Sequence, residues 1–141
     1  NQMVGVFNLE LLRLYSYLYQ DSDKNYSIVH DLGGYDEISL TNTVKIVSNK
    51  SEVLFSAEDL GLKNNTQEAI FGGNTVAEAS KIFKTIIAGQ GTEAQNNVVC
   101  ANAGLAIATA KQLTHIEGYE LAKEALVSGK ANECLTKLIA L

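Results

Sequence analysis

Apolar positions along this chain change their period near residue 55. Up to that point they fall in short runs, Val4-Gly5-Val6-Phe7, Tyr26-Ser27-Ile28-Val29-His30, Val44-Lys45-Ile46-Val47 and Val53-Leu54-Phe55, each bounded by polar or glycine residues. Runs of that length and setting predict strands. Between the first two, Leu11, Tyr15 and Leu18 recur at helical spacing, with Leu12 and Tyr19 widening the apolar face, and Asn8 stands where a helix cap belongs. A helix over residues 9–20 follows. Strand, helix, strand is the rhythm of a parallel crossover unit. The last two runs flank the polar stretch Ser48-Asn49-Lys50-Ser51-Glu52 and predict an antiparallel hairpin.

From Ser56 onward the period is helical. Ser56-Ala57-Glu58-Asp59 starts a brief helical turn closed by Gly61, and a polar loop containing Gly72-Gly73-Asn74 follows. Three capping boxes then come in order, Thr75 with Glu78, Thr92 with Gln95 and Thr114 with Glu117. In each, the threonine oxygen can accept an amide one turn on while the longer side chain reaches back, so each marks a helix start. Gly89 and Gly91 stop the first helix and Gly129 the third. Ala79, Ile82, Phe83, Ile86 and Ile87 make the apolar stripe of the first, and Val98, Val99, Leu105 and Ala106 that of the second. A last helix over 131–139 carries Cys134, Leu135, Leu138 and Ile139. With no internal repeat and no low-complexity linker, residues 1–141 read as a single α/β domain, a sheet with a hairpin followed by a helical carboxyl-terminal half.

Composition narrows the function. Of 141 residues, 46% are hydrophobic and 19% charged, the balance of a folded chain too interrupted by charge to span a membrane. The net charge is −5 and Arg13 is the one arginine, which excludes a nucleic-acid surface. Tyrosines at 15, 17, 19 and 26 lack the interleaved bases that a single-strand binder needs, and read as helix packing. The chain has no proline, so its turns must come from Gly, Asn and Asp. It opens on Asn1 and runs almost at once into a strand, as a piece of a longer polypeptide would. Cys100 and Cys134 fall on helical apolar stripes and read as small hydrophobes.

The loop Asp31-Leu32-Gly33-Gly34-Tyr35-Asp36-Glu37 follows the carboxyl end of a buried strand, where open α/β sheets bind ligands. Asp36 and Glu37 are the strongest candidates for chemistry: neighbouring carboxylates can share a hard divalent cation such as Mg²⁺, although an Asp-Glu pair is also the composition of a solvated turn. Gly72-Gly73-Asn74-Thr75 opens a helix, where amides can hold phosphate, but it has no lysine or arginine and reads as a tight lead-in turn. His30, at a strand end, reads as a packed, hydrogen-bonded side chain sooner than a ligand, and His115 as a surface residue. Two histidines and two scattered cysteines assemble no triad, nucleotide loop or zinc spacing, so covalent and redox catalysis have no support.

One series ties these segments together: Val4-Gly5-Val6-Phe7, Ile28-Val29-His30, Gly34-Tyr35-Asp36-Glu37-Ile38-Ser39-Leu40-Thr41, Ala57-Glu58-Asp59-Leu60-Gly61-Leu62, Gly72-Gly73 and Asn102-Ala103. It resembles the carboxyl-terminal half of the anthranilate phosphoribosyltransferases, over nearly the whole chain, with Asp36-Glu37-Ile38-Ser39-Leu40-Thr41 the specific part. The resemblance implies the α/β domain of the nucleoside phosphorylase and phosphoribosyltransferase fold, in a parent more than twice this length. It implies transfer of phosphoribosyl from 5-phosphoribosyl diphosphate to anthranilate in tryptophan biosynthesis, with Mg²⁺ bound by Asp36 and Glu37, in a homodimeric, cytoplasmic parent. The family's glycine-rich phosphate loop and anthranilate contacts belong to the part that precedes this stretch, so the stretch alone is expected to be inactive and, with sheet edge and apolar face uncovered, to self-associate. Two stretches depart from the family pattern: Asp31 stands where glycine is common, and Asn42-Thr43 where many members have Gly-Pro. The alternatives are a related phosphoribosyl or nucleoside transferase with another acceptor, and a non-catalytic binding protein on the same fold.

Overall fold

The computed structural model describes residues 1–141. β1 (Gln2–Gly5), α1 (Leu9–Tyr19) and β2 (Tyr26–Asp31) form the expected crossover, with β1 parallel to β2 and Val4 opposite Ile28. β3 (Val44–Ser48) and β4 (Glu52–Phe55) form the hairpin, β3 pairing antiparallel with β2, so that the sheet runs β1-β2-β3-β4. The first strand ends sooner than the apolar run suggests. Val6 still donates its amide to the Val29 carbonyl at 2.9 Å, but Phe7 already lies in the approach to α1 and is 65% exposed. Asn8, in extended conformation, accepts the Leu11 amide and caps α1.

All six residues of β2 are buried, because helices cover both of its faces. Alternation sorts its side chains. Ile28 and, on β3, Val47 pack with Val6, Leu12 and Tyr26 beneath α1. Val29 and Ile46 point the other way, into a larger cluster with Cys100, Ala101, Leu105, Tyr119 and Ala122. Those last residues belong to α3 (Glu93–Lys111) and α4 (His115–Val127). The two helices cross in backbone contact: a Cβ on Gly104 would lie 2.6 Å from the Tyr119 nitrogen, and one on Gly118 would lie 2.2 Å from the Gly104 oxygen.

Two 3-10 turns, Ala57–Leu60 and Glu68–Ile70, lead to α2 (Val76–Ile87), and α5 (Lys130–Ile139) closes the chain. All three threonine capping boxes form. The brief helical turn after Ser56 forms as 3-10, since only four residues separate its cap from the left-handed Gly61. Other expectations need correction. The apolar stripe of α2 is real as a pattern but is only partly covered here: Ile82, Ile86 and Ile87 are half-buried, no residue of the helix is fully buried, and Phe83 is 50% exposed. Cys134 is exposed, unlike the buried Cys100, because α5 also has no buried residue. His115 is not a plain surface residue; it stands edge-on against Phe55 at 5.4 Å between ring centres. No helix is long and apolar enough to cross a membrane.

Candidate metal-binding loop

The residues between β2 and β3 fold back over the carboxyl ends of the two parallel strands. Asp31 donates its amide to the Tyr35 carbonyl at 3.0 Å, Leu32 to Thr43 at 3.0 Å and Gly34 to Asp31 at 2.9 Å. Gly34 takes φ of +100°, a conformation open to glycine and strained for other residues. Ile38, Ser39 and Leu40 sink into the protein, which leaves Asp36 and Glu37 exposed at the crest. A second glycine decides where that crest sits. A Cβ on Gly5 would lie 1.8 Å from the Asp36 carbonyl oxygen, so the end of β1 must be bare for the loop to rest on it.

Asn102 of α3 locks the far side. Its side-chain oxygen accepts the Ile38 amide at 2.9 Å and its nitrogen donates to the Ile38 carbonyl at 2.8 Å and to the Val98 carbonyl at 3.0 Å. One side chain thus satisfies both backbone groups of the residue after Glu37. In the sequence Asn102 stands out only through the family resemblance. The signal for its role was an amide side chain set one helical turn after Val98 and close to Leu105, among apolar residues that demand a partner for it.

Neither Asp36 nor Glu37 is in an ion pair; those of this chain are Lys45–Glu52 and Lys130–Glu124. No group of three or more His, Cys, Asp or Glu residues gathers anywhere as a metal cage. The donor set is therefore two adjacent hard oxygen ligands open to solvent. Such a set suits Mg²⁺, which keeps several waters and takes one or two carboxylates alongside substrate phosphates, and it does not suit zinc. The residues fit the metal.

The other candidates fall elsewhere. His30 is 6% exposed and its Nδ1 donates to the Val6 carbonyl at 2.9 Å, so it braces β1 against β2. The amides of Asn74 and Thr75 both donate to Glu78 Oε2, at 2.7 and 3.2 Å, and this carboxylate takes the place an anion would need. Gly72-Gly73 is a lead-in turn. Burial pushes the Cys100 thiol up from its ordinary range and lifts the Tyr119 hydroxyl to about 12. That hydroxyl donates to Asn97 Oδ1 at 2.9 Å, and both groups are parts of the core.

The chain, a parallel crossover with an antiparallel hairpin and an acidic loop over the strand ends, belongs to the glycosyl transferase family, matching its a/b domain over residues 1–132. Within that family the likeness is to anthranilate phosphoribosyltransferases. The chain is 59% identical to the Flavobacterium psychrophilum enzyme over 138 residues, 98% of this chain and 42% of that protein. It is 45% identical to the Bacteroides fragilis enzyme over 141 residues, 99% of this chain and 43% of that protein. It thus spans well under half of these relatives. Among solved structures, the anthranilate phosphoribosyltransferase of Thermus thermophilus superposes with a TM-score of 0.85 at 28% identity, covering 96% of this chain and 41% of that one. The Saccharomyces cerevisiae enzyme in complex with PRPP and Mg shares the fold, with a TM-score of 0.78 at 20% identity, covering 96% of this chain and 40% of that one.

Proposed function

We propose that this chain is the metal-binding part of an anthranilate phosphoribosyltransferase, and that Asp36 and Glu37 hold the Mg²⁺ that meets the diphosphate of 5-phosphoribosyl diphosphate. The observation that carries the reading is the pair itself: two exposed carboxylates outside any ion pair, set by Gly5 and Asn102 over the carboxyl ends of parallel strands. The names of its relatives support the acceptor and donor, and the yeast complex with PRPP and Mg supports the metal.

In this reaction the anthranilate amine attacks C1 of the sugar as the bond to diphosphate breaks. Negative charge grows on the leaving group, and a bound dication there stabilises the transition state more than the ground state. The part of Asp36 and Glu37 is to hold and orient. Without a cation between them, two carboxylates facing a polyanion would repel it. The glycine-rich phosphate loop and the acceptor contacts are supplied by the remainder of a full-length protein, which in this reading is a cytoplasmic homodimer acting in tryptophan biosynthesis. In this reading the 141-residue stretch alone is expected to give no turnover.

Complementation tests the whole reading. The full-length gene should rescue a bacterial tryptophan auxotroph that lacks this transferase, and the same gene carrying Asp36→Asn and Glu37→Gln should fail to, at equal protein level. Rescue by the double variant, or no rescue by the unaltered gene, contradicts it.

A further inference from the structure

In the same loop as the exposed pair runs a chain of polar groups that metal binding does not itself use. Asp31, the last residue of β2, is fully buried, and no cation is paired with it. Its oxygens are held by the loop: one accepts the Gly33 amide at 2.7 Å, the other the Ser39 hydroxyl at 2.5 Å. A hydroxyl has one proton to give, and that of Ser39 goes to the carboxylate. In the 2.7 Å contact between Ser39 and Thr41, the Thr41 hydroxyl is therefore the donor. The Thr41 amide also donates to Ser39 Oγ at 3.0 Å, and Thr41 Oγ1 accepts the Asn42 side-chain amide at 2.8 Å. Every donor points one way, from Asn42 through Thr41 and Ser39 to Asp31.

Such a chain needs a group at its end that only accepts, which a carboxylate is and an amide is not. An asparagine at position 31 would set its NH₂ against either the Gly33 amide or the Ser39 hydroxyl, and one of them would lose its acceptor. The other end is as closely fitted: a Cβ on Gly33 would lie 2.2 Å from Asn42 Nδ2, so that a bare backbone is what lets the amide close over the base of the loop. Between Ser39 and Thr41, the buried Leu40 is held at φ of +56°, a left-handed conformation that a leucine keeps only where its surroundings over-determine it. Asp31 and Asn42 are thus the two ends of one chain of hydrogen bonds.

We propose that Asp31, acting through Ser39, Thr41 and Asn42, is a positioning residue that presets the Asp36–Glu37 crest for a divalent cation. The proposal rests on the metal reading above and adds to it where the order of the loop comes from. A crest already fixed in the metal-free protein loses less freedom when the cation binds, and partners of ligating carboxylates commonly tune metal affinity in this way.

The test uses the full-length protein as wild type, D31N, N42A and the double variant. N42A keeps the buried charge and guards against misfolding of D31N. Two readouts are needed: backbone hydrogen exchange of residues 33–41 without metal, and binding of Mn²⁺ by electron paramagnetic resonance with Mg²⁺ as competitor. Each single variant should speed exchange across the loop and weaken Mn²⁺ binding about tenfold or more. The double variant should be no weaker than the worse single, since both break one chain. Wild-type exchange in both single variants, or faster exchange with unchanged Mn²⁺ affinity, would overturn the positioning role while leaving the metal reading standing. Wild-type Mn²⁺ binding by D36N/E37Q would overturn the metal reading, and the proposal with it.

Discussion

Asn102 gives Ile38 what a neighbouring strand would otherwise supply, an acceptor for its amide and a donor for its carbonyl. Asn102→Ala leaves both buried groups unpaired, which costs about 1–3 kcal/mol for groups of this kind. The variant should show a lower urea midpoint together with faster exchange at the Ile38 amide; an unchanged amide would mean that the contact carries no load. His115 makes a second residue-scale prediction. Burial holds its imidazole below the ordinary histidine range, the Asp59 carboxylate opposing this more weakly. A depressed value means that the unfolded chain binds the proton first. The contribution of His115 to stability is therefore complete above the unfolded value, near pH 6.5, and is lost as pH falls from there through the folded value. Urea midpoints measured on either side of that window should fall on acidification by less in His115→Gln than in wild type.

At the scale of elements, what the chain announces and what it conceals separate by distance along the sequence. The capping boxes of α2, α3 and α4 are local, since each needs only residues three apart, and all form as read. The crossover and hairpin are read from period and length, and their pairing follows. The cover of an apolar stripe is not local. Ala79, Ile82, Phe83 and Ile86 spell an amphipathic helix, yet whether a partner exists depends on residues elsewhere, and here α2 has no buried residue. Val127, Leu138 and Ile139, near the carboxyl end, are 77%, 67% and 75% exposed. Apolar surface left open in this way drives association. The 141-residue chain should scatter light as oligomers or aggregates at micromolar concentration, and Phe83→Glu with Ile86→Glu should shift it toward monomer. A monodisperse monomer before any substitution would count against this.

Over the whole molecule, the candidate site was only partly open to a linear reading. Asp36 and Glu37 stand out because two acids follow a buried strand and a pair of glycines. What fixes the loop that carries them does not stand out: Gly5 lies far upstream and Asn102 on a helix in the other half, and both matter only after the sheet and α3 are brought together. Asp31 stands out in the sequence only as a departure from the family pattern, and proves to be buried as the acceptor of the loop's own donors. The proposed function turns on whether the exposed pair holds the cation that neutralises a departing diphosphate. Steady-state rates of the full-length protein, titrated with Mg²⁺ at saturating 5-phosphoribosyl diphosphate and anthranilate, measure this directly. Converting both carboxylates to amides should lower kcat by roughly 100-fold or more and move the Mg²⁺ half-saturation point upward, the loss of several kcal/mol of charge stabilisation. A double amide variant with wild-type kcat and wild-type Mg²⁺ dependence would contradict the account.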